Sequence, residues 1–239
     1  MSGWEPRCPA RRRPPRRERA ARRRTRQGNR GDVSAARRRG LRFEGWIAGL
    51  GTSSGTRVVL GHWRRSPFGA FSDVMLERAD GERLLLAPTR ETADFIAATY
   101  VFDTVRVVPV RVGVVARTWT VTAGSLELCF VTGRRGPLGL LLRAVPAALT
   151  RLPVWSALTD RPARLVLPGV RTRGNARAGR REWYGARDLK PIRLVSASFE
   201  GVDLGVTAPV EPPVRFGFGS VPGRPALTRV TTTIALGPG

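Results

Sequence analysis

From Phe71 onward the chain repeats one pattern, short runs of alternating apolar and polar residues divided by turn-forming pairs. Phe71–Arg78 and Glu82–Ala87 flank Asp80–Gly81, a pair that tolerates positive φ and marks a tight hairpin. Thr118–Thr122 and Leu126–Val131 flank Ala123–Gly124–Ser125. In the second of these runs Leu126, Leu128 and Phe130 alternate with Glu127 and Cys129, the period of a half-buried strand. Arg193–Phe199 and Val202–Val206 flank Glu200–Gly201. Thr56–Leu60, Val105–Val115, Arg164–Leu167, Val214–Phe218 and Thr228–Ile234 are further expected strands. In the last, Val230, Thr232 and Ile234 occupy one parity, as in an antiparallel sheet with one wet face.

Helical spacing occurs twice. Thr89 is the expected N-cap of Glu91–Tyr100, where Phe95, Ile96 and Thr99 form a short apolar stripe. Leu138–Ala144 and Pro146–Leu158 read as a broken pair, interrupted by Pro146 and Pro153. Hairpins joined by short connections predict a β-rich α+β fold: an antiparallel barrel or sandwich with two helical segments. No βαβ alternation is evident, which argues against a doubly wound parallel sheet.

Composition divides the chain. Residues 1–43 hold sixteen Arg against three acids, a net +13 of the total +24. So charged a stretch cannot bury enough apolar surface to offset its ordering entropy, so residues 1–40 are expected to be a disordered basic arm before a single domain, 41–239. The arm reads three ways: a nucleic-acid-binding tail acting by counterion release, a solvated tail without a partner, or upstream DNA translated in frame with Val33 as the true start. It lacks interleaved aromatics for base stacking, since Trp4 stands alone. One Lys among 42 basic residues, with abundant Ala, Gly and Pro, is the usage of a GC-rich genome.

Only Cys8 and Cys129 occur, so no disulfide framework is implied, Cys129 reads as a packing residue, and a reducing cytoplasm is the default compartment. The longest apolar run, Leu138–Leu149, is short of the roughly 20 residues a membrane helix needs, so no membrane partner is expected. No cofactor motif is present. The run Gly49–Thr56 has the Gly, Ser and Thr of a phosphate cradle without a Gly-Lys-Ser/Thr, and reads more simply as a turn into Thr56–Leu60.

Candidate chemistry is sparse. His62 is the sole histidine, which excludes a multi-histidine metal site; it reads as an edge residue rather than a general base. In Glu182–Arg193, strand alternation would set Tyr184, Asp188 and Lys190 on one face. An amine beside a carboxylate and a phenol could line a barrel mouth, and a desolvated Lys can form a Schiff base with a carbonyl substrate. The simpler reading is a solvated Asp188–Lys190 pair. Asp73 and Glu77 share a strand face and Glu127 lies on another strand. Pointing inward, they would be acid–base groups or cation ligands; pointing outward, they would pair with arginines.

The sheet-rich body, the helical segment Leu138–Leu158, the following Leu165-Val-Leu-Pro-Gly and the lone Lys190 together resemble acetoacetate-decarboxylase-type folds in the order of elements, over roughly Thr56 to Ala235. The chain also resembles conserved proteins of high-GC bacteria. The decarboxylase resemblance implies a lysine that forms a Schiff base with a β-keto acid, its pKa lowered by an adjacent lysine. Lys190 has Leu189 and Pro191 as neighbours instead. Three function classes follow: a β-barrel-like protein binding a small molecule, a Schiff-base enzyme using Lys190, and a nucleic-acid-associated protein acting through the arm and a mobile basic loop, Arg171–Arg181.

Overall fold

A computed structural model describes residues 40–146, 173–177, 180–217 and 221–236. The arm up to residue 39, the expected second helix from residue 147 and the expected strand Arg164–Leu167 lie outside the described residues.

The hairpin signals fold as expected. β3 (Phe71–Glu77) and β4 (Arg83–Ala87) pair antiparallel around Gly81, whose φ of 94° is the conformation the turn requires. β7 (Thr118–Ala123) pairs with β8 (Leu126–Thr132), and β6 (Val110–Val115) pairs with β7. Glu200 and Gly201, at φ 55° and 80°, turn the chain from β10 (Arg180–Phe199) into β11 (Val202–Asp203). β13 (Ala226–Leu236) contains the expected alternating strand.

One strand at the centre had no signal of its own. β1 (Leu41–Thr52) runs between β13 and β2 (Arg57–Arg65), pairing with both along most of its length. Gly45, Gly49 and Gly51 disguise it. A β-carbon at Gly45 would stand 2.1 Å from the His62 carbonyl oxygen, and one at Gly49 1.8 Å from Val221 Cγ1. The glycines therefore mark close approach rather than strand breaks. The Gly/Ser/Thr run is the turn between β1 and β2, where Thr52 Oγ1 donates to the Thr56 carbonyl at 2.8 Å.

Other expectations are corrected. Val105–Val115 divides at Val108–Pro109 into β5 (Thr104–Val107) and β6. β5 pairs parallel with β4 across helix α1 (Arg90–Ala97), so one βαβ unit does exist. Residues 211–217 run without strand pairing, because Pro212 and Pro213 offer no N–H. The basic Arg171–Arg181 stretch contains β9 (Arg173–Arg177), paired with β10, instead of a loop. β12 (Thr207–Ala208) closes against the end of β1.

α1 starts where Thr89 accepts from the Thr92 N–H and Thr92 reciprocates to the Thr89 N–H, a complete capping box. Ala93 and Ile96 pack it on Leu85 and Ala87 of β4. A second helix, α2 (Pro137–Ala144), opens with Pro137 in its first turn.

The strand path is β5-β4-β3-β2-β1-β13-β10-β8-β7-β6. Its two end strands are neighbours in sequence, and the Val108 N–H donates back to the Ala87 carbonyl at 2.9 Å. The sheet is therefore curled like a barrel. β10 joins the halves, pairing with β13 through its first part and with β8 through its second. The inner surface carries the main core, including Leu50, Leu60, Leu76, Leu84 and Phe130, each 0% exposed. Burial of this order drives the fold, at about 1.5–3 kcal/mol per large side chain.

Candidate functional site

The opposite surface of the same strands is neither dry nor open. Strand alternation sends Phe43 and Ile47 of β1, Val59 and Trp63 of β2, and Phe71, Asp73 and Met75 of β3 to this side. α1 covers it with Phe95 and Ile96, and the chain after α1 adds Tyr100. Val214 and Phe216 of residues 214–217, together with Val221, close it. That segment is tied down by Glu77, which is 0% exposed: it accepts from the Arg215 N–H at 2.7 Å and Arg215 Nε at 2.9 Å, and pairs with Arg57 at 3.0 Å. The half-open cavity offers about 60 Å³ to water-sized molecules, within about 700 Å³ of empty volume counted with its mouth. That admits a few waters or a slender organic group.

One wall is aromatic. Phe43 stacks on Phe95 at 5.5 Å and meets Trp63 edge-on at 5.6 Å and Phe71 at 6.5 Å. These are the offset and edge geometries that ring quadrupoles favour.

Into this apolar lining project two buried acids on separate walls. Asp73, 2% exposed, accepts from Trp63 Nε1 at 2.9 Å through Oδ1. Burial pushes its carboxyl up to about 7, against the opposing pull of the Trp63 bond. Its Oδ2 has no hydrogen-bond partner among the described residues. Glu182, on β10 and 1% exposed, accepts from the Tyr100 hydroxyl at 2.6 and 2.8 Å, and Tyr100 lies 3.2 Å from the Tyr184 hydroxyl. Burial likewise lifts Glu182 to about 7 although both phenols pull it down. Burial first, then the Glu182 charge, drive the Tyr100 phenol well above its ordinary value. Thr232 Oγ1, on β13, is buried without a hydrogen-bond partner. Among the described residues no Arg, Lys or His lines the cavity; Arg180 lies over the Phe95 ring and donates to Thr99 at 2.5 Å.

Of the three residues expected on one face of β10, only Tyr184 lines the cavity. A β-bulge falls between Ala186 and Asp188: Ala186 opposes Val230, yet Asp188 opposes the next residue, Arg229. The extra residue reverses the parity. Asp188 and Lys190 therefore emerge on the other surface. There Asp188 accepts from Arg135 Nε at 2.8 Å, and the Lys190 amine lies 6.0 Å from the Trp46 ring centre. His62 is on that surface too, bonded to Ser72 Oγ at 2.8 Å and edge-on to Trp119. Burial and then the Arg64 charge lower its pKa. Cys129 is buried and is not a free thiol, which corrects its reading as a packing residue without a partner. Among the described residues no cluster of His, Cys, Asp and Glu is arranged to hold a metal, and no helix is long and apolar enough to cross a membrane.

Asp73 carried a sequence signal, an acid at the centre of an apolar strand. Glu182 carried a similar one, two residues before Tyr184 on an unbroken stretch, and was missed. Tyr100 and Trp63 carried none, because only the curl of the sheet and the return of the chain after α1 bring them to the acids.

No family model and no curated protein matches the chain. Among solved structures it is similar to a putative AttH from Nitrosomonas europaea at 12% identity and a TM-score of 0.25, over 83% of this chain and 39% of that one. The chain thus spans well under half of that protein's length.

Proposed function

We propose that the protein binds a small, slender organic molecule in the cavity between the sheet and its cover of α1 and residues 214–217. The apolar body of the ligand lies among Phe43, Trp63, Phe71 and Phe95. Its polar end meets Asp73, Thr232 or the Tyr100–Glu182 pair. The observation that carries this reading is the coincidence of a largely apolar lining with a buried, unpartnered Thr232 Oγ1 and an Asp73 carboxyl whose Oδ2 accepts no hydrogen bond. Buried polar groups without partners are rare and costly in folded proteins, and a few such groups in an apolar cavity is what ligand sites share.

Benzyl alcohol is a suitable first probe, since it is neutral, aromatic and small. Titration followed by tryptophan fluorescence and ligand-observed NMR should show saturable one-to-one binding. Val59→Phe, which fills the cavity from β2, should weaken it at least tenfold while circular dichroism stays unchanged; the overpacking itself costs about 1–3 kcal/mol. Binding that is absent, or indifferent to Val59→Phe in a folded variant, would refute the reading.

A further inference from the structure

We propose that the ligand is a small organic cation, an ammonium whose charged nitrogen sits against Asp73 Oδ2 beside the rings of Trp63 and Phe71. This rests on the cavity being a binding site and goes further, to the chemical class and pose of what it binds.

Three observations carry it. The first is sign. The chain has 42 basic residues and 18 acidic ones, yet the described residues of the cavity lining include Asp73 and Glu182 and no basic side chain. An anion would be repelled there. The second is register. Trp63 is paired across the strands with Phe71, and Gly61 with Asp73, so one carboxylate and two aromatic rings converge where β2 meets β3. Gly61 keeps that place clear, since a β-carbon there would stand 2.5 Å from Asp73 Oδ1 and 2.7 Å from Trp63 Nε1. Carboxylate plus π-systems is the environment that recognises an ammonium group. The third is preorganisation. The Trp63 N–H holds Oδ1 at 2.9 Å, which orients the carboxyl and leaves Oδ2 for the ligand.

Glu182 is less suited to the role, because both its oxygens accept from Tyr100. The net charge of +24 does not decide the matter, because exposed charges beyond about 8–10 Å are screened at physiological salt. Among the described residues, the titratable groups lining the cavity besides Asp73 are Glu182 and Tyr184 of β10 and Tyr100 after α1. An ammonium that pairs with Asp73 favours its ionised form, so affinity should rise as pH passes upward through about 7.

The test uses the full chain with three probes of one shape: benzylamine, benzyl alcohol and benzoate. At pH 8 benzylamine should bind at least tenfold more tightly than benzyl alcohol, benzoate should not bind, and the amine's advantage should shrink at pH 6. Asp73→Asn retains an oxygen for the Trp63 N–H and removes a desolvated acid, so it should fold. It should cost the amine at least tenfold more than it costs the alcohol. Alcohol binding equal to or tighter than amine binding overturns the inference and leaves the cavity as a binding site. The same holds if Asp73→Asn leaves amine binding intact. Failure of both amine and alcohol to bind overturns the cavity reading itself.

Discussion

The strands β1 to β4 present two surfaces of opposite character. On the inner one, Ala48, Leu50, Val58, Leu60, Val74, Leu76 and Leu84 are all 0% exposed and carry no polar atom. On the other, the same strands interleave Phe43, Ile47, Val59 and Met75 with Asp73, and the neighbouring β13 and β10 add Thr232 and Glu182. The difference teaches where each property of the molecule resides. The dry surface holds the curled sheet together. The polar one costs stability, since groups lifted to about 7 are acids kept from water.

The largest expected effect sets the two surfaces side by side. Phe130→Ala on the dry side should cost about 3–5 kcal/mol in urea unfolding. Phe71→Ala, partly buried beside the cavity, should cost no more than about half of that. Equal costs would mean that the cavity side is packed like a core.

Next in size is the pH dependence. Asp73 and Glu182 have folded pKa values raised above their unfolded ones, so the unfolded chain releases these protons first as pH rises. Their contribution is full below about pH 4, declines as pH climbs, and is gone above about 7. The loss is on the order of 3 kcal/mol for each group. Asp73→Asn and Glu182→Gln should each flatten the decline between pH 4 and 7 in thermal melts. A profile that the two variants leave unchanged would show these carboxyls to be hydrated.

The smallest effect is expected at the residue that the sequence made most conspicuous. Lys190→Met should leave probe affinity in the cavity within twofold and lower stability by about 0.5 kcal/mol, the value of its contact with Trp46. A large loss of binding would place the working site on the other surface.

The sequence disclosed the hairpins because their turns use local chemistry: Asp80–Gly81, Gly124 and Glu200–Gly201 each announce a reversal within four residues. Thr89 announced α1 in the same way. β1 was hidden because its glycines answer to distant partners, His62, Val221 and Pro209, which no local window contains. The site divides along the same line. Tyr184 and Asp73 stood out as polar residues in apolar strands, whereas the Tyr100–Glu182 bond spans 82 residues and depends on the sheet having curled.

Had β10 run straight, its alternation would have turned Lys190 toward Tyr184 and into the acidic chamber. There the chain's one ammonium could have neutralised Glu182 or Asp73 internally. The offset at Arg187 instead carries that amine to the Trp46 side of the sheet and keeps the chamber's acids from being quenched by it.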